Sequence, residues 1–442
     1  MNAPTFHKLS GRLLSALTML FLSLQASAQS GYVPSAANLS ARERFAHHRL
    51  GIFLHWGIYS LYGQGEWYLN SGKLLETEYA KAAVAFYPSR FDAEAWVQAI
   101  KASGAGYLTF TTRHHDSFSM FKTAESPYNI VDATPFGRDV LRELADACHH
   151  QGVDLHLYYS ILDWARPDYP LGRTGHHTGR TLRPDYNSYM QFMKNQLREL
   201  LTAYGDVKAV WLDGYWDHDS DSIPFDWRMP ELYSYVHSLR PACLIGNNHH
   251  LYPLPGEDFQ MFERDQPGEN HAGLSGQDVS TLPLEMCQTM NGMWGYKVSD
   301  TNYKTVPELV QMLVRAASKS CNLLLNIGPQ PDGELPALAL DRLRGLGTWM
   351  RQYGSTVDGT VGGPVPEQPW GVSTMRGDTV YLHVLQSGLT AITVPLDRKP
   401  RRVTAFDGRK KLKWTFDRHR SEACIQLDGN SEGPDDIIII ER

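Results

Sequence analysis

Between about residue 35 and residue 353 the chain alternates short apolar runs with amphipathic stretches, and this constrains its fold more than anything else in the sequence. Strands separated by helices pack as a parallel sheet wrapped by helices, because each strand must cross back over the sheet to lie beside its neighbour. The runs with strand character are Gly51–His55, Tyr107–Thr112, Asp154–Tyr159, Lys208–Asp213, Cys243–Asn247, Asp258–Glu263, Pro283–Gln288 and Asn322–Ile327. About eight such strands close a parallel barrel, so the expected class is α/β, a TIM-like (β/α)8 barrel. Helices are expected at Asp92–Ala102, Asp139–His149, Tyr186–Tyr204, Met229–Leu239, Val306–Ser318 and Pro336–Tyr353. Asp92 and Asp139 stand where N-caps belong, and Gly104 and Gly152 stand just past helix ends.

After Gly354 the texture changes to a Gly- and Pro-rich stretch, Gly359 to Pro369, followed by alternating runs. Val380–Val384, Ala391–Val394, Lys413–Phe416, Cys424–Leu427 and Ile437–Ile440, with a turn signal at Asp407-Gly408, predict a small antiparallel β-sandwich. A chain of 442 residues exceeds what one core usually fills. The division expected is a catalytic domain over 29–355 and a sandwich domain over 356–442.

His7, Lys8 and Arg12 precede the apolar stretch Leu13 to Leu24 and the small-residue ending Ala26-Ser27-Ala28. That is the pattern of a secretory signal over residues 1–28, too short for a membrane anchor and with no lipidation Cys behind it. The expected location is secreted, periplasmic if the source is a Gram-negative bacterium, with no membrane attachment after cleavage. Cys148, Cys243, Cys287, Cys321 and Cys424 are scattered without zinc or disulfide spacing and are read as small buried residues. The formal charge of −6, without long runs, offers no footprint for nucleic acid.

In a barrel of this type the reactive groups lie at the C-terminal ends of the strands. Those ends are polar and ring-bearing here: His55-Trp56-Gly57, His114-His115-Asp116, Tyr158-Tyr159-Ser160, Asp213-Gly214, Asn247-Asn248-His249 and Glu263-Arg264-Asp265. An isolated Asp after a strand also serves as a helix cap; six polar endings in register are harder to explain as loop tips. Metal is the first alternative for the histidines, but His114 and His115, as neighbours on a regular strand, point to opposite faces, and no other ligand spacing accompanies them. No metal or other cofactor is therefore expected. Imidazoles at strand ends suit sugar hydroxyls, and the 11 Trp and 22 Tyr offer flat faces for sugar C–H surfaces.

Glycoside hydrolysis needs two carboxyl groups, one ionised and one protonated. Asp213, short and held by a barrel strand, fits the first. Glu263, at a strand end, fits the second, with Glu285 as the alternative near the start of the next strand. Glu66 and Trp67, on the loop after the first strand, suit a ligand to hydroxyls beside a stacking ring.

Together these segments resemble the alpha-L-fucosidases of glycoside hydrolase family 29. The resemblance is carried, in order, by Gly51 to Ser60, Glu66-Trp67-Tyr68, Thr111 to Asp116, Tyr158-Tyr159-Ser160, Trp211-Leu212-Asp213-Gly214, Trp294-Gly295-Tyr296 and Asn322 to Pro329. It implies a retaining exo-hydrolase that removes terminal alpha-L-fucose from fucosylated glycans without a metal. It further implies Asp213 as nucleophile, with His55, Glu66, Trp67, His114, His115, Tyr159 and Trp294 around the sugar. The acid/base is the least regular part of the family; Asp258 to Glu263 matches its Asp-Phe-x-x-x-Glu segment. Where members carry an upstream Arg, this chain reads Gly246-Asn247-Asn248-His249-His250. That departure leaves the acid's partners open and keeps Glu285 as an alternative. A galactoside hydrolase on the same fold and a catalytically silent carbohydrate-binding protein are the other readings.

Overall fold

The structure is a computed structural model that describes residues 31–406, 410–427, 429 and 433–442. The expected signal segment and the Asp407-Gly408 turn lie outside these residues. Eight parallel strands form one sheet: β1 (Leu50–Leu54), β2 (Tyr107–Arg113), β3 (Asp154–Ser160), β4 (Val207–Asp213), β5 (Leu244–Asn248), β6 (Gln260–Glu263), β7 (Leu284–Thr289) and β8 (Cys321–Ile327). Their order, β5-β4-β3-β2-β1-β8-β7-β6, is that of a (β/α)8 barrel.

Inside and outside follow from the two-residue period of a strand. Phe53, Tyr107, Tyr158, Trp211, Met261 and Leu324 fill the interior, while the alternate residues pack under the surrounding helices. Those helices form where their caps predict. Asp92 and Asp139 accept backbone N–H bonds at their N-termini, and Thr305 and Glu308 make a reciprocal capping box at the start of Val306–Ser318.

The barrel is nearly rather than fully closed, because among the described residues no strand ladder joins β5 to β6. Asp258 stitches that seam from just before β6. Its N–H donates to the Ile245 carbonyl at 2.7 Å, its Oδ2 accepts the Ile245 N–H at 2.8 Å, and its Oδ1 accepts Arg42 at 2.7 Å. The strand expected to begin at Asp258 thus begins at Gln260, since Asp258 holds Ile245 by one backbone bond and its side chain, and no ladder continues from there.

Arg42 belongs to a helix, Ala36–His47, that the sequence pattern did not announce. Only Asn38, Ala41 and Phe45 of it are buried, the last two against the barrel interior, so it closes the end of the barrel opposite the strand tips without a full apolar stripe.

The C-terminal part holds two antiparallel sheets, of five and three strands. Three of their strands, Val361–Gly362, Gly371–Arg376 and Arg402–Ala405, were not expected. Gly371–Arg376 hides its strand character because it buries hydroxyls: Ser373 donates to the Val365 carbonyl and Thr374 to the Thr356 carbonyl. Cys424 is exposed, against the expectation that all five cysteines are buried, since it sits on the outer face of the strand Glu422–Gln426.

Candidate active site

The strand tips enclose a cavity of about 210 Å³. That is small against the roughly 300–1,000 Å³ of sites for drug-sized ligands and suits a single sugar ring. His55, Glu66, Trp67, His114, His115, Asp213, Glu263 and Trp294 all line it.

Asp213 ends β4, and Gly214 after it adopts φ +108, a conformation closed to most side chains, which turns the chain sharply and leaves the carboxylate at the tip. The turn that follows, Tyr215–His218, brings Trp216 back over it. Oδ2 accepts the Tyr158 hydroxyl at 2.8 Å and Oδ1 accepts Trp216 Nε1 at 3.1 Å. Burial, followed by the charge of Glu263, raises the Asp213 carboxyl to about 6, while the Tyr158 and Trp216 hydrogen bonds pull the other way.

Glu263, at the tip of β6, accepts Asn248 Nδ2 at 2.9 Å and stands 3.2 Å from His250 Nε2, both on Oε2. Burial pushes its carboxyl up, but the hydrogen bond and charge of His250, with Asn248 and Arg264, more than offset this and leave it below the usual range. Asn248 Nδ2 also lies 3.4 Å from Asp213 Oδ1. One amide nitrogen therefore lies within reach of both carboxylates, and the charge of Glu263 acts on Asp213.

His55 and His115 are fixed by partners below them. His55 Nδ1 is 2.7 Å from Asn326 Oδ1, and the Asn326 amide in turn donates to the Trp294 carbonyl at 2.7 Å. That chain puts the hydrogen on His55 Nδ1 and leaves Nε2 an acceptor. His115 Nδ1 meets Ser160 Oγ at 2.7 Å, and Ser160 donates onward to the Leu162 carbonyl at 2.6 Å, so the same logic applies. Burial lowers His55 to about 3 and holds His114 and His115 well below their ordinary value, making all three neutral hydrogen-bonding groups. The expectation that His114 and His115 face opposite ways does not hold. A register shift in β2 between Thr111 and Arg113, and the end of the strand at Arg113, place both rings past the pleat and into the cavity.

Glu66 is buried, and its Oε2 accepts the Gly295 N–H at 2.7 Å. Gly295 has no room for a side chain there, because a Cβ would stand 2.8 Å from the Glu66 nitrogen. Trp67 stacks on Trp216 with ring centres 5.5 Å apart, and Trp294 lies 5.3 Å from the His55 ring. These rings give the cavity an apolar wall beside its polar floor.

Two sequence expectations need correction. Tyr159 points out of the barrel: its hydroxyl donates to Gln196 Oε1 at 2.9 Å and the Arg113 guanidinium lies 4.7 Å over its ring. Its neighbour Tyr158 faces the cavity, because Ser160 pairs with Asp213 and Tyr158 with Trp211, setting the inward parity of β3. Glu285 points inward but one layer deeper, where it accepts Trp211 Nε1 at 2.8 Å and the Tyr107 hydroxyl at 2.6 Å. Burial raises it to about 7, yet it does not line the cavity.

Sequence reasoning also missed Trp216, Asn248, His250, Arg173 and Leu274 as lining residues. Asn248 and His250 stood in the segment that departs from the family pattern, a signal that was available. Arg173 and Leu274 come from long loops with no periodic code.

The model of the alpha-L-fucosidase family matches residues 19–355. Among solved structures, alpha-L-fucosidase isoenzyme 1 from Paenibacillus thiaminolyticus superposes with a TM-score of 0.81 at 31% identity, covering 92% of this chain and 99% of that one. A family 29 alpha-L-fucosidase from Bacteroides thetaiotaomicron, trapped as a covalent intermediate with 2-fluoro-fucosyl fluoride, gives a TM-score of 0.79 at 26% identity over 91% and 96%. An alpha-L-fucosidase of Branchiostoma floridae is 27% identical over 448 residues, 90% of this chain and 92% of that protein. With its barrel, its paired carboxylates and a family match over most of its length, the chain belongs to the alpha-L-fucosidases of glycoside hydrolase family 29.

Proposed function

We propose that this enzyme releases terminal alpha-L-fucose from glycans with retention, by double displacement through a fucosyl-enzyme ester on Asp213, with Glu263 as acid and then base. The observation that carries the reading is the Asn248 bridge. Its amide nitrogen is 3.4 Å from Asp213 Oδ1 and 2.9 Å from Glu263 Oε2, so those oxygens are separated by no more than the sum of the two distances. That limit falls short of the roughly 6.5–9.5 Å an inverting site needs to hold a water, and accommodates the roughly 5–5.5 Å of a retaining one. The covalent intermediate trapped in the Bacteroides neighbour supports the same route.

In the first step the anomeric carbon bonds to an Asp213 oxygen as the glycosidic bond breaks. The bond's electron pair stays with the leaving oxygen, which takes a proton from Glu263. In the second step Glu263 removes a proton from water, the water oxygen bonds to the anomeric carbon, and Asp213 departs ionised. Asp213 suits attack because Tyr158 and Trp216 hold both its oxygens in place. His55, Glu66, His114 and His115 bind ring hydroxyls, while Trp67 and Trp294 pack on the apolar side of the sugar. A cavity sized for one ring makes the action terminal. Two carboxylates beside one cavity speak for catalysis over silent binding.

Asp213→Ala is expected to abolish hydrolysis, and added azide to restore turnover with fucosyl azide as product. Near-normal hydrolysis by that variant would overturn the assignment. The N-terminal pattern further supports export with cleavage after Ala28; N-terminal sequencing of the mature protein should begin at Gln29, and a mature chain that keeps the earlier residues would refute it.

A further inference from the structure

We propose that His250 is the proton partner of Glu263, holding the proton that Glu263 delivers to the leaving oxygen and taking back the one it removes from water. The inference rests on Glu263 being the acid/base, as read above.

The geometry points to this pairing in three ways. First, His250 Nε2 and Asn248 Nδ2 converge on the same Glu263 oxygen, at 3.2 and 2.9 Å. Asn248 can only donate, so it fixes the carboxylate without exchanging a proton, and of the two His250 is the partner able to exchange one.

Second, His250 is placed there by backbone that residues other than glycine uncommonly adopt. Its φ of +61 lies in the left-handed region, which turns the chain immediately past β5. The adjacent His249 is not an alternative: its Nε2 meets Glu257 Oε1 at 2.8 Å and its Nδ1 accepts the Leu251 N–H at 3.0 Å.

Third, the pair spans the seam between β5 and β6 that no strand ladder closes, so Glu263 is steadied at the mouth by side chains reaching across from β5. Arg264, whose guanidinium charge acts on Glu263, is engaged elsewhere, donating to the Gly292 carbonyl at 3.2 Å and lying 5.0 Å over the Trp294 ring. The charged groups that His250 acts on are Glu263, Asp213 and Asp219.

An imidazolium beside a carboxylate and an imidazole beside a carboxylic acid carry the same proton. A fucoside that fills the cavity excludes water, and exclusion of water favours the uncharged arrangement, which puts the proton on Glu263. The proton passes to the leaving oxygen as that oxygen keeps the electron pair of the broken bond, and Glu263 is left ionised. When Glu263 then removes a proton from water, His250 accepts it, and the pair ends a turnover as it began.

The test compares 4-nitrophenyl alpha-L-fucoside, whose leaving group needs little protonation, with a fucosyl oligosaccharide, whose leaving group needs it. His250→Asn keeps a residue that tolerates left-handed backbone but is too short to reach, and His250→Gln keeps a donor that cannot release a proton. Both are expected to lose about 10–100-fold in kcat/KM on the oligosaccharide and less than about threefold on the nitrophenyl substrate. In the double variant with Glu263→Ala, His250→Asn should add nothing to the loss caused by Glu263→Ala alone. Equal losses on both substrates, wild-type oligosaccharide turnover by His250→Gln, or additive losses in the double variant would each overturn the proposal. If Glu263→Ala itself shows no dependence on the leaving group, the acid/base reading falls first. If Glu263→Ala shows it and His250→Asn does not, only the pairing falls.

Discussion

Replacing Asp213 with Asn should stabilise the protein at neutral pH while abolishing its turnover, and the stability gain should itself depend on pH. In the folded protein the Asp213 carboxyl is raised from 3.8 to about 6 by burial and by the charge of Glu263. At about 1.4 kcal/mol per unit, holding it ionised in the native state costs on the order of 3 kcal/mol. The sign follows from proton counting. Between the unfolded and folded values the native state binds more protons at this site, so the contribution of this site to stability is greatest below about pH 4 and is lost as pH rises through about 6. An amide at this position has no such titration.

The hydrogen bonds from Tyr158 and Trp216 are imperfectly received by Asn, but that loss does not vary with pH, so the pH dependence of the difference is the quantity to read. Denaturant unfolding of both proteins at pH 4 and pH 7.5 should show the variant gaining about 2–3 kcal/mol relative to wild type between the two conditions. Its kcat should fall at least about a thousandfold. The wild-type kcat/KM should decline below about pH 6, as the nucleophile takes up a proton. A stability difference that is constant with pH, or that shrinks toward pH 7.5, would refute the claim that burial of this carboxylate is a cost the fold bears for reactivity.

Tyr158→Phe removes a hydrogen bond that holds the Asp213 carboxyl down, so the acid limb of its pH–rate profile should move to higher pH, with kcat/KM reduced about tenfold. Tyr159→Phe should leave both unchanged and cost about 1 kcal/mol in unfolding experiments, through the lost bond to Gln196. Asp258→Ala breaks a buried pair with Arg42 and the side-chain contact to the Ile245 N–H at the seam, leaving only the backbone bond to the Ile245 carbonyl, and should lower stability by about 3–5 kcal/mol; an unchanged melting temperature would show that the seam is held by other means.

What the sequence determined by itself was the part of this protein that is local. Strand and helix periods, capping residues such as Asp92 and Asp139, and polar endings on six strands mark the barrel and put Asp213 and Glu263 at its tips, because each signal is written within a few residues of where it acts. What only the tertiary structure decided was depth and parity around the barrel, which depend on strand register and so on pairings between distant segments. Register placed Tyr158 rather than Tyr159 inside. The same kind of pairing sank Glu285 a layer below Glu263, since Glu263 pairs with Cys287 and Glu285 with Met261. A shift in β2 turned His114 and His115 onto one site. The open seam, the helix that closes the base and the reach of His250 to Glu263 are likewise meetings of segments that carry no local sign of each other.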